Sequence, residues 1–218
     1  RSSDLWLATG LRFGQAGNSG LLQTFLAGYL VQTLLFDKAI PTDALMISSV
    51  IGFITIPLLG WLSDKVGRRL PYIIVNISAI ILAWPMLAII VDKSYSASTI
   101  MLSLIVIHNV AVLGLFALEN ITMAEMFGSR NRFTRMAISK EAGGLVAVGF
   151  GPVLAGIFCN VTGSWWPIVA MLICYSAIGL ISSLLMPEVC DRDLSLDHDA
   201  ADAGTRQALS ANGQYAKS

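Results

Sequence analysis

Residues 71–91 read PYIIVNISAIILAWPMLAIIV, a run in which no Asp, Glu, Lys or Arg interrupts the apolar side chains. A helix that crosses the hydrocarbon core of a bilayer needs about 20 consecutive, mostly apolar residues. The rest of the chain has the same character, because hydrophobic residues make up 55% of its 218 residues and charged residues only 13%. Soluble domains contain about 25% charged residues. The composition therefore excludes a soluble globular domain and predicts a membrane protein.

Charged residues divide the remaining chain into further apolar runs of similar length. These runs do not alternate in polarity, and they exceed the roughly 10-residue strands of a membrane β-barrel. They also lack the polar outer face that helices of a soluble bundle need. We therefore predict an all-α fold, an integral membrane six-helix bundle. The six predicted membrane-spanning helices cover residues 13–36, 44–62, 71–91, 96–118, 142–160 and 165–186.

Lysine and arginine are concentrated in alternate connections between the predicted spans. Because basic loops face the cytoplasm, both ends of the chain are predicted to be cytoplasmic. Residues 1–12 form a cytoplasmic lead-in that either lies at the membrane surface or extends the first helix, with Arg12 reaching the inner surface. Residues 188–218 are predicted to be a disordered, acidic cytoplasmic tail. The basic connections carry Lys65, Arg68 and Arg69 after the second span and Arg130, Arg132, Arg135 and Lys140 after the fourth, against Lys38 and Lys93 in the alternate connections.

The connection between the second and third spans contains the most specific motif of the chain, GWLSDKVGRR at residues 60–69. Its two glycines permit a tight reversal between two helices. Its acidic residue either pairs with the adjoining basic cluster or faces the N-terminus of a neighbouring helix.

This motif resembles the G-x-x-x-D-[RK]-x-G-[RK]-[RK] signature of the major facilitator superfamily. Residues 125–139 and the segment MPEVCDRDL at 186–194 are similar to the loop before the eleventh helix and the ending after the twelfth helix of its metabolite:proton symporters. The resemblance covers residues 4–194 and implies the C-terminal half of a major-facilitator fold, helices seven to twelve. It also implies that the matching signature residues form a cytoplasmic gate. These residues are Gly60, Asp64, Lys65, Gly67, Arg68 and Arg69.

The resemblance implies a secondary active transporter of a bacterial inner membrane, which moves a small organic metabolite with a proton by alternating access. Its expected partners are the lipid bilayer, the metabolite, the proton and a missing N-terminal six-helix half. The net charge of zero gives no reason to expect a nucleic-acid partner. The alternative is a truncated, non-transporting remnant or a membrane assembly partner that needs another half. A channel is disfavoured because the sequence has no charged ring or filter-like repeat.

Polar and aromatic residues recur along the first predicted span at intervals of three and four residues, which places them on one face of an α-helix. This stripe is predicted to line the substrate cavity together with Asn109 of the fourth span, and the resemblance implies the same for helix seven. The alternative is hydrogen bonding between helices. The stripe consists of Gln15, Asn18, Leu22, Phe25, Tyr29, Gln32 and Phe36.

Two ionisable residues of the fourth span are candidates for proton coupling. His108 lies at the middle of the span, where an ionisable side chain indicates function, and a histidine titrates near neutral pH. Glu119 follows 11 residues later, nearly on the same face and about 16 Å closer to the cytoplasm. The alternatives are a neutral histidine that is hydrogen-bonded between helices, and pairing of Glu119 or Glu125 with the signature arginines.

Small residues at Gly144, Ala147, Gly151 and Ala155 predict that the fifth span packs closely against another helix. The sequence has no nucleotide-binding loop, no H-E-x-x-H and no C-x-x-C motif. Its three cysteines fit neither a disulfide framework nor a metal site. No cofactor, no metal and no enzymatic activity are therefore expected.

Overall fold

The computed structural model describes residues 3–128 and 132–190, and these residues form six helices and no strand. Two of the helices, which we label α1 and α4, contain a π-helical segment in the middle. α1 covers residues 3–32 as Ser3–Ser19, the π-helical Gly20–Leu26 and Ala27–Gln32. α4 consists of Ala97–His108, the π-helical Asn109–Gly114 and Leu115–Met126. The others are α2 (Ala39–Val66), α3 (Arg69–Val91), α5 (Arg132–Thr162) and α6 (Trp166–Leu185).

Five of these helices, α2 to α6, are long and apolar enough to cross a membrane. α1 is not among the five, although it is longer than three of them, and it carries Asp4 and Arg12 among its apolar residues. A membrane-spanning position for α1 therefore stays a prediction.

Several helices extend beyond the spans that the sequence predicts. α1 begins at Ser3, so most of the lead-in 1–12 extends the first helix. α4 continues past residue 118 to Met126, and α5 begins at Arg132 instead of residue 142. Charged residues limit what enters hydrocarbon, but they do not interrupt a helix. α4 ends instead where Phe127 adopts an extended backbone.

At its other end, α1 stops at Gln32, four residues before the predicted limit. Leu35 there adopts a positive φ of 56°, which is incompatible with a continuing right-handed helix. The predicted tail is described only as far as Cys190, and the rest of it lies outside the described residues, as does Arg130.

The two ends of the bundle differ in charge. Contacts from Arg68 to Glu125 and Glu188 bring the α2–α3 connection, the end of α4 and the end of α6 together. We call this the basic end. At the opposite end, the rings of Trp84 and Trp165 lie 5.3 Å apart.

α1 is the central helix of the bundle and packs against α5 and α6. α6 also packs against α3, while α2 and α3 pack against α4. Close approach of α1 and α6 depends on two glycines, because a Cβ on Gly14 would lie only 3.0 Å from Cα of Gly179. On α5, Ala147, Gly151 and Ala155 are buried, as expected of a packing stripe.

Large apolar side chains cover the outer surface of the bundle. Phe53, Leu145 and Val161 are each more than 70% exposed. An apolar surface of this extent is unfavourable in water and suits contact with lipid. Buried polar and charged side chains include Arg68 at the basic end and Gln15, Asn18, His108 and Glu119 of α1 and α4.

Candidate functional site

The signature connection at the basic end is organised around the guanidinium of Arg68, which is 6% exposed. Its Nε and Nη2 donate to the two carboxylate oxygens of Glu125 over 2.9 and 2.7 Å. Its Nη1 donates to Ser63 Oγ over 2.6 Å and pairs with Asp64. Hydrogen bonding to Glu125 raises the pKa of Arg68 against the opposing effect of burial, and Asp64 adds to the rise. Arg68 therefore keeps its charge.

Glu188 joins the end of α6 to the start of α3. Its carboxylate accepts hydrogen bonds from the backbone N–H of Arg68 over 2.7 Å and of Arg69 over 3.2 Å. These groups form the N-terminus of α3, where a negative charge is favourable. Gly67 has a φ of 96°, and a Cβ at this position would lie 2.8 Å from the Glu188 carboxylate. Glycine is needed at this position because other residues rarely adopt a positive φ and because a side chain would clash with the Glu188 carboxylate.

The remaining signature residues have smaller roles. Asp64 pairs with the neighbouring Arg68, which was one of its two predicted roles. Lys65 lies with its Nζ 3.9 Å from the ring centre of Trp61. Gly60 is buried beside Ile121 of α4. A Cβ added to Gly60 would make an ordinary van der Waals contact with the Ile121 side chain.

A second charged cluster lies deeper in the bundle and joins α1, α4 and α5. Glu119 is fully buried, with its carboxylate 3.3 Å from Arg12 Nη1 and 3.9 Å from Lys140 Nζ. Arg12 Nη1 also donates to Gln15 Oε1 over 2.8 Å, and Lys140 donates to Asn120. Glu119 thus pairs with Arg12 and Lys140 and not with Arg68 or Arg69, whereas Glu125 does pair with Arg68. The guanidinium of Arg12 thus contacts side chains of α1 and α4 inside the bundle.

His108 is the centre of a hydrogen-bonded network between α1, α2 and α4. Its Nε2 lies 2.8 Å from Gln23 Nε2, and its Nδ1 lies 2.6 Å from Ser48 Oγ. With the Gln23 amide nitrogen as donor, Nε2 accepts and Nδ1–H donates, which assigns a neutral imidazole. Asn109 Nδ2 donates to the same Ser48 Oγ over 2.7 Å. This arrangement agrees with the alternative of a neutral histidine between helices.

The predicted stripe of α1 does not face one cavity. Asn18 is fully buried and donates to Ser176 Oγ over 2.9 Å, so it joins α1 to α6. Gln32 is exposed at the opposite end of the helix. The stripe was derived for a regular α-helix, whereas the π-helical segment Gly20–Leu26 has a wider turn and changes the rotational register.

Two recesses lie along α1. The first has a volume of about 300 Å³, and we call it the groove. It is lined by Arg12, Gln15, Ser19 and Gln23 with apolar side chains of α4 and α5. The second has a volume of about 460 Å³ and contains the partly buried Phe25 and Tyr29, whose rings stack 5.8 Å apart, and Cys159 of α5.

Sequence reasoning did not single out Ser19, Gln23, Ser48 or Ser176, and it placed Arg12 at the inner surface and not in the cluster with Glu119. Gln15, Ser19 and Gln23 follow one another at intervals of four residues, a second helical spacing that shares only Gln15 with the predicted stripe. Ser48 is a small polar residue within an apolar run and gave no signal.

This chain is similar to proteins whose names describe them as transporters. A family model described as Major Facilitator Superfamily matches residues 7–206. The chain is 76% identical over 211 residues to the "Putative transporter YdfJ" of Escherichia coli (strain K12), an alignment that covers 97% of this chain and 49% of that protein. It is 22% identical over 169 residues to the "Shikimate transporter" of the same organism, covering 77% of this chain and 38% of that protein.

The chain thus spans at most about half the length of the curated relatives it matches. The family match covers most of the chain, and the signature residues Gly60–Arg69 are consistent with it. By sequence and by its all-helical, apolar architecture, this chain belongs to the Major Facilitator Superfamily.

Proposed function

We propose that this chain forms one wall of a secondary active transporter that moves a small organic metabolite together with a proton. The observation that carries the proposal is the groove, in which polar side chains of α1 line a recess within an otherwise apolar bundle. Polar groups at this depth are costly unless they face water, a solute or protein. Membership of a transporter superfamily supports a solute as the occupant.

The groove needs a second wall. Gln23 and Ser49 are exposed although they lie near the middle of apolar helices. An opposing N-terminal six-helix half, expected because the chain spans about half of its relatives, would cover these side chains. Two halves that rock about a site between them provide alternating access.

His108 and Glu119 are proposed to couple proton movement to solute movement. A proton on His108 Nε2 requires the amide of Gln23 to turn and present its oxygen. Because Gln23 also lines the groove, the protonation of His108 alters a group beside the solute. A proton on Glu119 would weaken its pairing with Arg12 and Lys140.

The two recesses suggest a route for the solute. Gln15 remains a proposed contact in the groove, and Asn109 supports the groove through Ser48. Phe25 and Tyr29 are proposed to form an aromatic part of the path nearer the opposite end.

The basic end is proposed to be the cytoplasmic side of a bacterial inner membrane, because positive loops remain in the cytoplasm. The signature residues Gly60, Asp64, Lys65, Gly67, Arg68 and Arg69 would then form the cytoplasmic gate. The network of Arg68 with Glu125 and Glu188 supports this role, since it joins three helix ends that have to move as a unit.

Uptake by liposomes that contain the full-length gene product tests the proposal. The solutes are radiolabelled organic acids, betaines and neutral metabolites, beginning with shikimate, the solute in the name of one relative. We expect saturable uptake that increases when the outside is more acidic and stops when a protonophore is added. Unsaturated, linear flux would favour a channel. Absence of uptake for every solute, by correctly inserted protein, would favour the assembly-partner alternative.

The proton-coupling role is tested with His108→Gln, which keeps hydrogen-bonding groups but cannot titrate. We expect solute exchange without a pH gradient to continue, while accumulation driven by the gradient falls at least about tenfold. His198→Gln removes the other histidine of the chain and serves as the matched control. Gradient-driven accumulation at the wild-type level in His108→Gln would contradict coupling through this residue.

A further inference from the structure

The charged cluster beside the groove contains more positive than negative charge. Arg12 and Lys140 share the single carboxylate of Glu119. The residues that line the groove include no acidic side chain. A net positive charge in an apolar part of a membrane protein is costly, so this cluster favours an anion from outside the chain.

The pairing of Arg12 with Glu119 is also loose. Both carboxylate oxygens contact the same Nη1, at 3.3 and 3.5 Å, whereas Arg68 engages Glu125 through two separate nitrogens at 2.9 and 2.7 Å. The Nε of Arg12 is buried and has no hydrogen-bond partner among the described residues. A guanidinium binds a carboxylate best through two parallel hydrogen bonds, and Glu119 does not provide them.

We propose that Arg12 binds the carboxylate of a small monoanionic solute in the groove and that Glu119 is its internal competitor. In the empty state Glu119 occupies Arg12. When the solute arrives, its carboxylate takes Arg12, and Lys140 retains Glu119. The cluster changes from a net charge of +1 to zero, which lowers the cost of its burial when the carrier closes.

The rest of the groove defines the solute further. Gln15, Ser19 and Gln23 offer hydrogen-bonding groups, and Val112, Phe116 and Val148 form an apolar wall. These side chains suit a hydroxy- or oxo-monocarboxylate that fits within about 300 Å³. A zwitterion would place its cationic group where the groove has no acid, and a dianion would leave a net charge of −1.

Binding to the full-length gene product in detergent tests the assignment through the ligand-induced shift of its melting temperature. The probes are shikimate, lactate and gluconate as monoanions, methyl shikimate as the neutral analogue, and glycine betaine as the zwitterion. We expect at least one monoanion to raise the melting temperature, with no increase from the ester or the betaine. No response to the monoanions, or an equal response to the ester, would overturn the assignment.

Three variants separate binding from mere structure. Arg12→Gln is expected to weaken binding of the active monoanion by about 10- to 100-fold, as expected for loss of a charged hydrogen-bonding partner. Glu119→Gln removes the competitor and is expected to tighten binding roughly fivefold or more, whereas Lys140→Gln leaves Glu119 on Arg12 and is expected to weaken binding. If the cluster were purely structural, Glu119→Gln would weaken binding just as Lys140→Gln does. Lys38→Gln, which removes an exposed lysine at the opposite end, is the matched control.

Because a solute in the groove presupposes the carrier function proposed above, uptake of the same probes into liposomes is measured in parallel. Uptake that does not depend on Arg12 overturns the anion site and leaves transport intact. Binding that depends on Arg12 without any uptake supports the site and contradicts the carrier function.

Discussion

Two arginines of this chain lie in different environments, one enclosed by hydrogen-bonding partners and one with only longer contacts to its carboxylate. Arg68 is enclosed by three residues. Its guanidinium donates hydrogen bonds to Glu125 and Ser63 and forms an ion pair with Asp64. Arg12 is a quarter exposed, and its contacts to Glu119 are long. The first environment holds one arrangement firmly, while the second is the one proposed above to bind a carboxylate.

Replacement of Arg68 by Gln is expected to destabilise the protein. The change leaves the carboxylates of Glu125 and Asp64 without their buried cation, and breaking a buried pair costs about 3–5 kcal/mol. The measurement is thermal unfolding in detergent, with a lower melting temperature expected. Lys65→Gln, which removes an exposed cation from the same connection, is the control. An unchanged melting temperature in Arg68→Gln would contradict the structural role of this network.

At the scale of elements, α1 and α4 each change from α- to π-helical hydrogen bonding near the middle, and Gln23 of the first segment contacts His108, which directly precedes the second. π-helical segments are rare in proteins, and those that occur are often found at functional sites. Here Gln23, within the π-helical segment of α1, contacts His108, while Asn18, in the α-helical part before it, contacts Ser176 of α6. The polar network between α1 and α4 therefore includes a residue of an irregular segment.

The contact between α1 and α6 is expected to tolerate no side chain at Gly14. A Cβ there would lie 2.8 Å from the carbonyl oxygen of Tyr175, a backbone atom that cannot move without displacing α6. We expect Gly14→Ala to destabilise the protein by about 1–3 kcal/mol, as overpacking does. Gly28→Ala is the matched control on the same helix, because an added Cβ there meets no atom within 4 Å.

Thermal unfolding in detergent is the readout for both glycine variants. Gly28→Ala is expected to be neutral or slightly stabilising, since alanine is the better helix former by about 1 kcal/mol. Equal melting temperatures for Gly14→Ala and Gly28→Ala would show that α1 and α6 are not in close contact.

At the scale of the whole molecule, the chain is a bundle with an apolar surface, a basic end and a polar groove along α1. Glu188 and Glu125 tie the ends of α6 and α4 to the signature connection at that basic end. This connection is enclosed by acids, whereas the opposite end is joined by aromatic contacts such as Trp84 with Trp165. This asymmetry is the basis of the proposed orientation, in which the basic end faces the cytoplasm.

Cysteine labelling tests this orientation. In a variant that lacks the three native cysteines, Lys93→Cys places a thiol at the opposite end and Lys65→Cys places one at the basic end. Applied to intact cells, a membrane-impermeant maleimide is expected to label only Lys93→Cys, since basic loops remain in the cytoplasm. Lys65→Cys should react once the membrane is permeabilised. The reverse pattern would invert the proposed topology.

The sequence alone determined that the chain is helical, that it is built for a membrane and that residues 60–69 form a specific connection. Uninterrupted apolar runs such as 71–91 are local properties, and a bilayer accepts such runs as helices because every backbone group must be hydrogen-bonded internally. Family membership followed from the same kind of local information, since the signature residues are contiguous.

Only the tertiary structure decided where the helices end, how α1 is rotated and which charges meet. Arg12 and Glu119 are 107 residues apart along the chain, and no local pattern connects them. Gln23 lies four residues after Ser19 and eight after Gln15, outside the spacing that defines the predicted stripe, and only the packing of α1 shows that this second face lines the groove. Helix formation depends on neighbouring residues, whereas pairing and rotational register are fixed by packing between helices, which a periodic pattern does not contain.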